Sequence, residues 1–374
     1  MGFTRTLILL FLLVSALAVW DMAGGGVGGF AGMVEHDFVR FGGQRERVPL
    51  REPDFEEQHS LGSLAGVRRV VIDGFSGNLE VTRSATDELS ASYSVAIWTE
   101  DRGARTADTA AALARQLTVE WAREGEEVRL QVERPQPLPP GIQALRVMVR
   151  LAVPDGVQLE ARHAGSARIV GIAGSVRLDH SRGEVEVREV QGPVNIASSW
   201  TSVRVESVRG PVQVDVTGGE MRARDIAGSV GGSVRMGALQ LRGVEGDVTF
   251  SVDQGAGRVE DVGGDVRVTG SFGEMIVAQV AGDVEAYQTF GALKVRGVTR
   301  AADLSVRFGD MEVVLQGEGG WTVDAVAELG ALETSLNLQR EQSDQRVALS
   351  GVIGDGAHPL RVRVEQGSAR IARR

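Results

Sequence analysis

From Ser175 to about Gln316, apolar residues return in a pattern that repeats every 18 positions without insertion or deletion. Val176, Val194, Val212, Val230, Val248, Val266 and Val284 share one column, and Gly192, Gly210, Gly228, Gly246, Gly264 and Gly282 close the units. Val185, Val203, Met221, Leu239, Met275, Leu293 and Met311 form a second apolar column. Two more run from Val187 to Val313 and from Val190 to Val298. Self-similarity at a fixed period is the signature of a solenoid, in which one unit buries its apolar face only by stacking on its neighbours.

Each unit divides into two halves reading roughly Gly-polar-Val-x-Val, as in Gly264-Asp265-Val266-Arg267-Val268 and Gly273-Glu274-Met275-Ile276-Val277. Apolar residues two apart lie on one face of a strand, so each half predicts a short strand with its valines inward. Glycines are expected to turn the corners with backbone angles that a Cβ forbids. A left-handed hexapeptide helix shares the period but needs an apolar residue six before each Val190-column position. Glu184, Ser202, Glu220 and Glu274 stand there instead. The Gly-Gly-x-Gly-x-Asp ligand pattern of a calcium-binding roll is absent.

Around this core the chain divides into segments. Residues 1–20 carry Arg5 and an apolar run from Leu7 to Trp20, expected as a signal peptide cut after Ala18 or as a membrane anchor. Residues 21–66 are glycine-rich, then charged, and read as a flexible linker. Residues 67–374 are expected as one β-solenoid domain: entry strands over 67–156, regular repeats over 157–316 and a cap over 317–374. Alanine-rich sequence between Arg102 and Leu117 predicts one short helix in the entry region, with Asp108 near its first turn. Val352, Leu360, Val362, Val364 and Ile371 are expected to finish the sheet.

The runs Gly246-Asp247-Val248 and Gly282-Asp283-Val284, the lead-in Val147 to Pro154, and the ending Gly354-Asp355-Gly356 to Ile371 resemble the bacterial DUF4097 family of candidate adhesins. The resemblance covers about Val67 to the C-terminus. It implies an all-β, right-handed β-helix-like solenoid exported to the cell envelope, with no catalytic residues to carry over. The chain departs from the family's commonest ending at Ala369, where a charged residue is usual.

A net charge of −10 over 374 residues excludes a nucleic-acid role, which needs a clustered basic face. The absence of cysteine removes disulfides, thiolate metal sites and cysteine nucleophiles. Asp247, Asp265 and Asp283 precede the first valine on successive units, and such a carboxylate ladder is either solvated turn residues or a weak cation site. Solvated turns are the expectation, with no cofactor. Trp200, Met236, Phe272, Phe290 and Phe308 share a column, either as an interior ladder or as an exposed strip for a glycan or a partner. Interior packing is expected, because burying such rings stabilises by about 2–3 kcal/mol each. His163 and His180 fall on adjacent units without a third ligand. The outward column of Glu186, Arg204, Arg222, Arg258 and Lys294 reads as a solvated face. Together these features predict a non-enzymatic envelope or surface scaffold binding a surface ligand, glycan or envelope protein, with membrane contact only through the N-terminal segment. The competing readings are a polysaccharide-active β-helix enzyme and an accessory domain in envelope stress sensing.

Overall fold

The computed structural model describes residues 38–41, 44–47, 52–100, 104–133, 138–317 and 319–373. The expected signal or anchor over residues 1–20 lies outside them. Residues 1–48 and 49–374 form two separate units. In the first, β1 (Phe38–Phe41) pairs antiparallel with β2 (Gln44–Arg47).

The second unit is a β-solenoid. Its regular stack consists of β12 (Val176–Arg188), β13 (Val194–Val208), β14 (Val212–Ile226), β15 (Val230–Val244), β16 (Val248–Val262), β17 (Val266–Val280) and β18 (Val284–Val298). Each is parallel to the next, and register places Val176 beside Val194, Val194 beside Val212, and so on to Val284. Each unit is one bent run of up to 15 residues rather than two separate strands. The four predicted valine columns point inward: Val176, Val187, Val190, Val248, Val259 and Val295 are completely buried.

The closing glycines owe their identity to close approach, not to backbone angle. Gly192 and Gly228 lack the positive φ of a left-handed corner. A Cβ on Gly192 would sit 2.5 Å from the carbonyl oxygen of Gly174 in the preceding coil, and one on Gly228 equally close to that of Gly210. The left-handed corner falls three residues earlier, where Glu189, Ser207, Asp225, Asp261 and Gln279 hold φ between 56° and 58°. Two interior glycines are matched by large residues one coil on. The space at Gly257 is filled by Met275, whose Sδ would lie 2.5 Å from an added Cβ, and Gly232 stands beside the buried Phe250.

Before the regular stack, β3 (Phe55–Ala65), β4 (Arg69–Ser76), β5 (Asn78–Arg83), β6 (Glu88–Thr99), β7 (Thr118–Glu124), β8 (Glu127–Glu133), β9 (Ile142–Val153), β10 (Gln158–Ala164) and β11 (Ala167–Val170) build the N-terminal end. β4 and β5 already form a coil, parallel to β10 and β11. β8 and β9 lie on its other side, and β9, β6 and β3 continue as an antiparallel meander. Residues 55–65, expected within the linker, are therefore a strand, because β6 offers its edge to them. The helix α1 (Ala104–Gln116) packs against β6, β3 and β9, burying Ala110 and Leu113. It has no acidic residue in its first turn, so Asp108 falls later than expected.

At the other end the stack is not built in chain order. β19 (Ala302–Phe308) and β20 (Met311–Leu315) continue the period on β18. The chain then skips a place, forming β21 (Trp321–Glu328), β22 (Gly330–Thr334), β23 (Gln339–Gln342) and β24 (Arg346–Ile353). The last strand, β25 (His358–Arg373), returns to fill the gap, parallel to β19 and β20 on one side and to β21 and β22 on the other. Ala369 thereby sits beside Met311 in a regular, buried register. Val352 lies in the closing sheet as expected, in β24 opposite Thr322, with its side chain exposed. Among the described residues no helix is long and apolar enough to cross a membrane.

Candidate functional site

The predicted carboxylate ladder exists, and its oxygens already have work. The backbone N–H of Asp265 donates to Asp247 Oδ1 at 2.9 Å, and that of Asp283 donates to Asp265 Oδ1 at 2.8 Å. Ser229 Oγ accepts from the Asp247 N–H at 3.2 Å, and Arg300 Nε stands 3.4 Å from Asp283 Oδ1. Each side chain thus bridges one coil to the next at the turn, where ladder geometry leaves an amide free. Among the described residues no three His, Asp or Glu side chains are placed to hold a metal ion.

His163 and His180 meet inside the stack, with Nδ1 atoms 3.2 Å apart and His163 Nε2 2.7 Å from the carbonyl oxygen of Gly77. A carbonyl only accepts, so His163 carries its proton on Nε2 and its Nδ1 accepts from His180 Nδ1–H. Burial lowers the His163 pKa to about 3, helped by the neighbouring His180, and lowers that of His180 to about 4. Both rings are therefore neutral core residues near pH 7.

On the second half of each coil the outward residues pair across coils. Glu206 lies between Arg188 Nε at 3.1 Å and Arg224 Nη2 at 2.9 Å, and Lys294 pairs with Glu274. Neighbouring pairs join Arg222 to Glu220 and Arg258 to Glu260, each at 2.7 Å. The face is open to solvent, as expected, and its charges pair both within coils and across them.

The aromatic column overturns its expectation. Trp200 is 67% exposed, Phe272 48% and Phe290 39%, and Met236 is also exposed, so the column decorates an outer corner. Phe272, Phe290 and Phe308 stack face to face, with centroids 4.8 Å apart and planes within 9°. That spacing is the distance between stacked strands, so identical backbone geometry aligns the rings without further adjustment. Arg307 covers the outer face of Phe308 at 5.8 Å and is held by Glu365 at 2.8 Å. Gln288 braces this corner from inside, donating from Nε2 to the carbonyl oxygens of Phe290 at 2.7 Å and Gly273 at 3.1 Å, while its Oε1 occupies the space left by Gly270.

The corner is built differently in earlier coils. Trp200, Met236 and Gln254 sit at φ of 54–56°, whereas in the phenylalanine coils Gly273 and Gly291 take the positive φ instead. At the left-handed position the Trp200 indole swings along the stack and lies over Gly218, which it buries. Gly218 was not singled out by sequence reading. Its signal was a glycine in a column otherwise filled by long or aromatic side chains.

The fold is a β-solenoid, and among the described residues no cluster of His, Asp and Glu is placed to hold a metal ion. No family model matches the chain, and no curated protein does. Among solved structures, a "putative cell adhesion protein" from Clostridium sporogenes aligns with 86% of this chain and 99% of its own at 10% identity and a TM-score of 0.20. A "putative adhesin" from Bacteroides fragilis covers 86% and 97% at 11% identity and a TM-score of 0.27. Another from Parabacteroides distasonis covers 84% and 97% at 10% identity and a TM-score of 0.26.

Proposed function

We propose that the protein is an exported, non-enzymatic β-solenoid that holds a binding surface on a stiff spacer, in the manner of an adhesin. The observation that carries this reading is the aromatic corner column, exposed in a stack whose other outward positions, Tyr287 apart, hold mainly polar, charged or small residues. Exposing large aromatic groups is costly for solubility and is a mark of recognition surfaces. The groups that an enzyme would need are otherwise engaged: the Asp247 and Asp265 carboxylates hold backbone amides, and the His163 and His180 rings are buried and neutral. The apolar run over residues 7–20 supports export.

Two measurements test the reading. A reporter active only outside the cytoplasm, fused after Arg374, is expected to report activity that is lost when residues 1–20 are removed. Purified protein is expected to be retained on immobilised bacterial envelope material without shortening acidic polysaccharide chains. Cytoplasmic retention of the fusion overturns export, and depolymerisation overturns the non-enzymatic assignment.

A further inference from the structure

Trp200 is placed unlike the other rings of its column. A Cβ built on Gly218 would lie 2.5 Å from Trp200 Cε3, 2.8 Å from Cζ3 and 3.0 Å from Cδ2. Three adjacent ring atoms at nearly equal distance mean that the indole lies flat on the glycine backbone rather than edge-on. One face is therefore seated on Gly218, and with 67% of the residue exposed the opposite face is open. In the phenylalanine ladder Phe290 is stacked on both faces and Phe308 lies between Phe290 and Arg307, so Phe290 offers solvent only its edge.

We infer that Trp200 on Gly218 is a stacking platform for one pyranose of a neutral, β-linked glycan chain, an inference that rests on the binding-surface reading above. A pyranose with equatorial hydroxyls presents a flat face of axial C–H groups, whose positive edge charge complements the negative face of an indole. Its rim of hydroxyls needs small polar partners. Ser199 and Ser202, within two residues of Trp200, are exposed, and Thr217, the neighbour of Gly218, is half-buried on the next coil. A protein partner would need a contiguous apolar area, and these hydroxyl neighbours interrupt it.

The adjoining sheet face suits the same ligand. Near Trp200 its outward residues include Asn195, Gln213, Ser233 and Thr249, with Asp215 bonded to Ser233, and the Arg267–Glu285 ion pair of this face lies further along the stack, on β17 and β18. At the far edge of that face lies a depression of about 330 Å³ whose polar lining is Asn195, Gln213, Ser229, Thr249 and the Asp247 carboxylate. Asn195 is separated from Trp200 by about 16 Å of extended strand, the reach of a short oligosaccharide. The ring and the amide thus stand at the two ends of one strand's outer face.

The test uses cellohexaose as probe and ligand-observed saturation-transfer NMR on the full chain. Wild type and Phe290→Ala are expected to saturate the axial ring protons of the sugar most strongly, and Trp200→Ala is expected to weaken binding about tenfold or more. Circular dichroism and melting of Trp200→Ala are expected to match wild type, because the side chain it loses is mostly solvent-exposed. Absence of transfer with wild type, or equal transfer with Trp200→Ala, overturns the platform. If Trp200→Ala is still retained on envelope material as wild type is, the platform fails while the binding-surface reading stands. If wild type itself is not retained, that reading fails.

Discussion

Two buried imidazoles joined by one hydrogen bond tolerate a single proton arrangement. His163 Nε2–H is committed to Gly77 and His180 Nδ1–H to His163, and burial penalises an added proton more than the backbone groups of Arg182 and Gly165 beside His180 favour it. The folded-state pKa values, about 3 and about 4, lie below the unfolded value of 6.5. Between these limits the unfolded chain binds protons that the fold refuses, so stability falls as pH drops below about 6.5 and is lost in full only near pH 3. Urea midpoints are expected to decline from pH 7 to pH 5, a window above most carboxylate titration. The decline is expected to flatten when both histidines are replaced by leucine, and an unchanged slope would remove the pair as its cause. Inward and outward columns differ just as sharply. Val248 is completely buried, so Val248→Asp places a carboxylate without a partner in the core and is expected to cost several kcal/mol, visible as a large fall in Tm. Arg258→Asp, which loses only an exposed pair with Glu260, is expected to shift Tm little.

At the scale of the coil, the turn before each strand is held by side chain to backbone bonds as well as by the ladder. Replacing Asp247, Asp265 and Asp283 together by asparagine keeps an Oδ1 acceptor facing each amide, so Tm is expected to stay within a few degrees of wild type, with or without millimolar calcium. Replacement by alanine removes two amide acceptors and the Arg300 contact, and is expected to cost about 1 kcal/mol per lost bond at most, since the sites are solvated. Thermal unfolding of both variants checks this. A calcium-dependent rise confined to wild type would instead mean a bound cation, by linkage to the folded state. The phenylalanine ladder belongs to the same scale: it staples consecutive coils from outside while Gln288 staples them from within.

Over the whole molecule, uniform register makes the coils interchangeable in the middle and irreplaceable at the ends. Excising residues 212–229, one complete period, leaves Val194 and Val230 in mutually compatible register and is expected to preserve cooperative unfolding at a somewhat lower Tm. Excising nine residues brings unlike halves together and is expected to prevent folding. Truncation before His358 removes β25, which is an interior member of the stack and not its terminus. That variant is expected to expose the apolar surfaces of β19 and β21 and to aggregate, whereas simple peeling of a last coil would leave a soluble, slightly destabilised protein. Size-exclusion chromatography separates the two outcomes.

The valine columns and their period determined the solenoid, its register and the inward faces, because burial at a fixed spacing is a local property of each strand repeated many times. The helix was likewise legible from its alanine-rich run. Where equal patterns admit unequal placements, the sequence was silent. The column holding Trp200 and Phe290 looks apolar and hence interior, yet corner geometry turns it outward, since each coil interior is already filled by six inward columns, those of Val212, Val214, Val216, Met221, Ala223 and Ile226. Closing glycines look like corner residues, but the distance to the preceding coil dictates them, and that distance exists only after stacking. The place of β25 between β20 and β22 depends on strands far apart in the chain finding one another's edges. Likewise, the open face of Trp200 depends on Gly218, one coil away, lacking a side chain, a contact that only the stacked coils create.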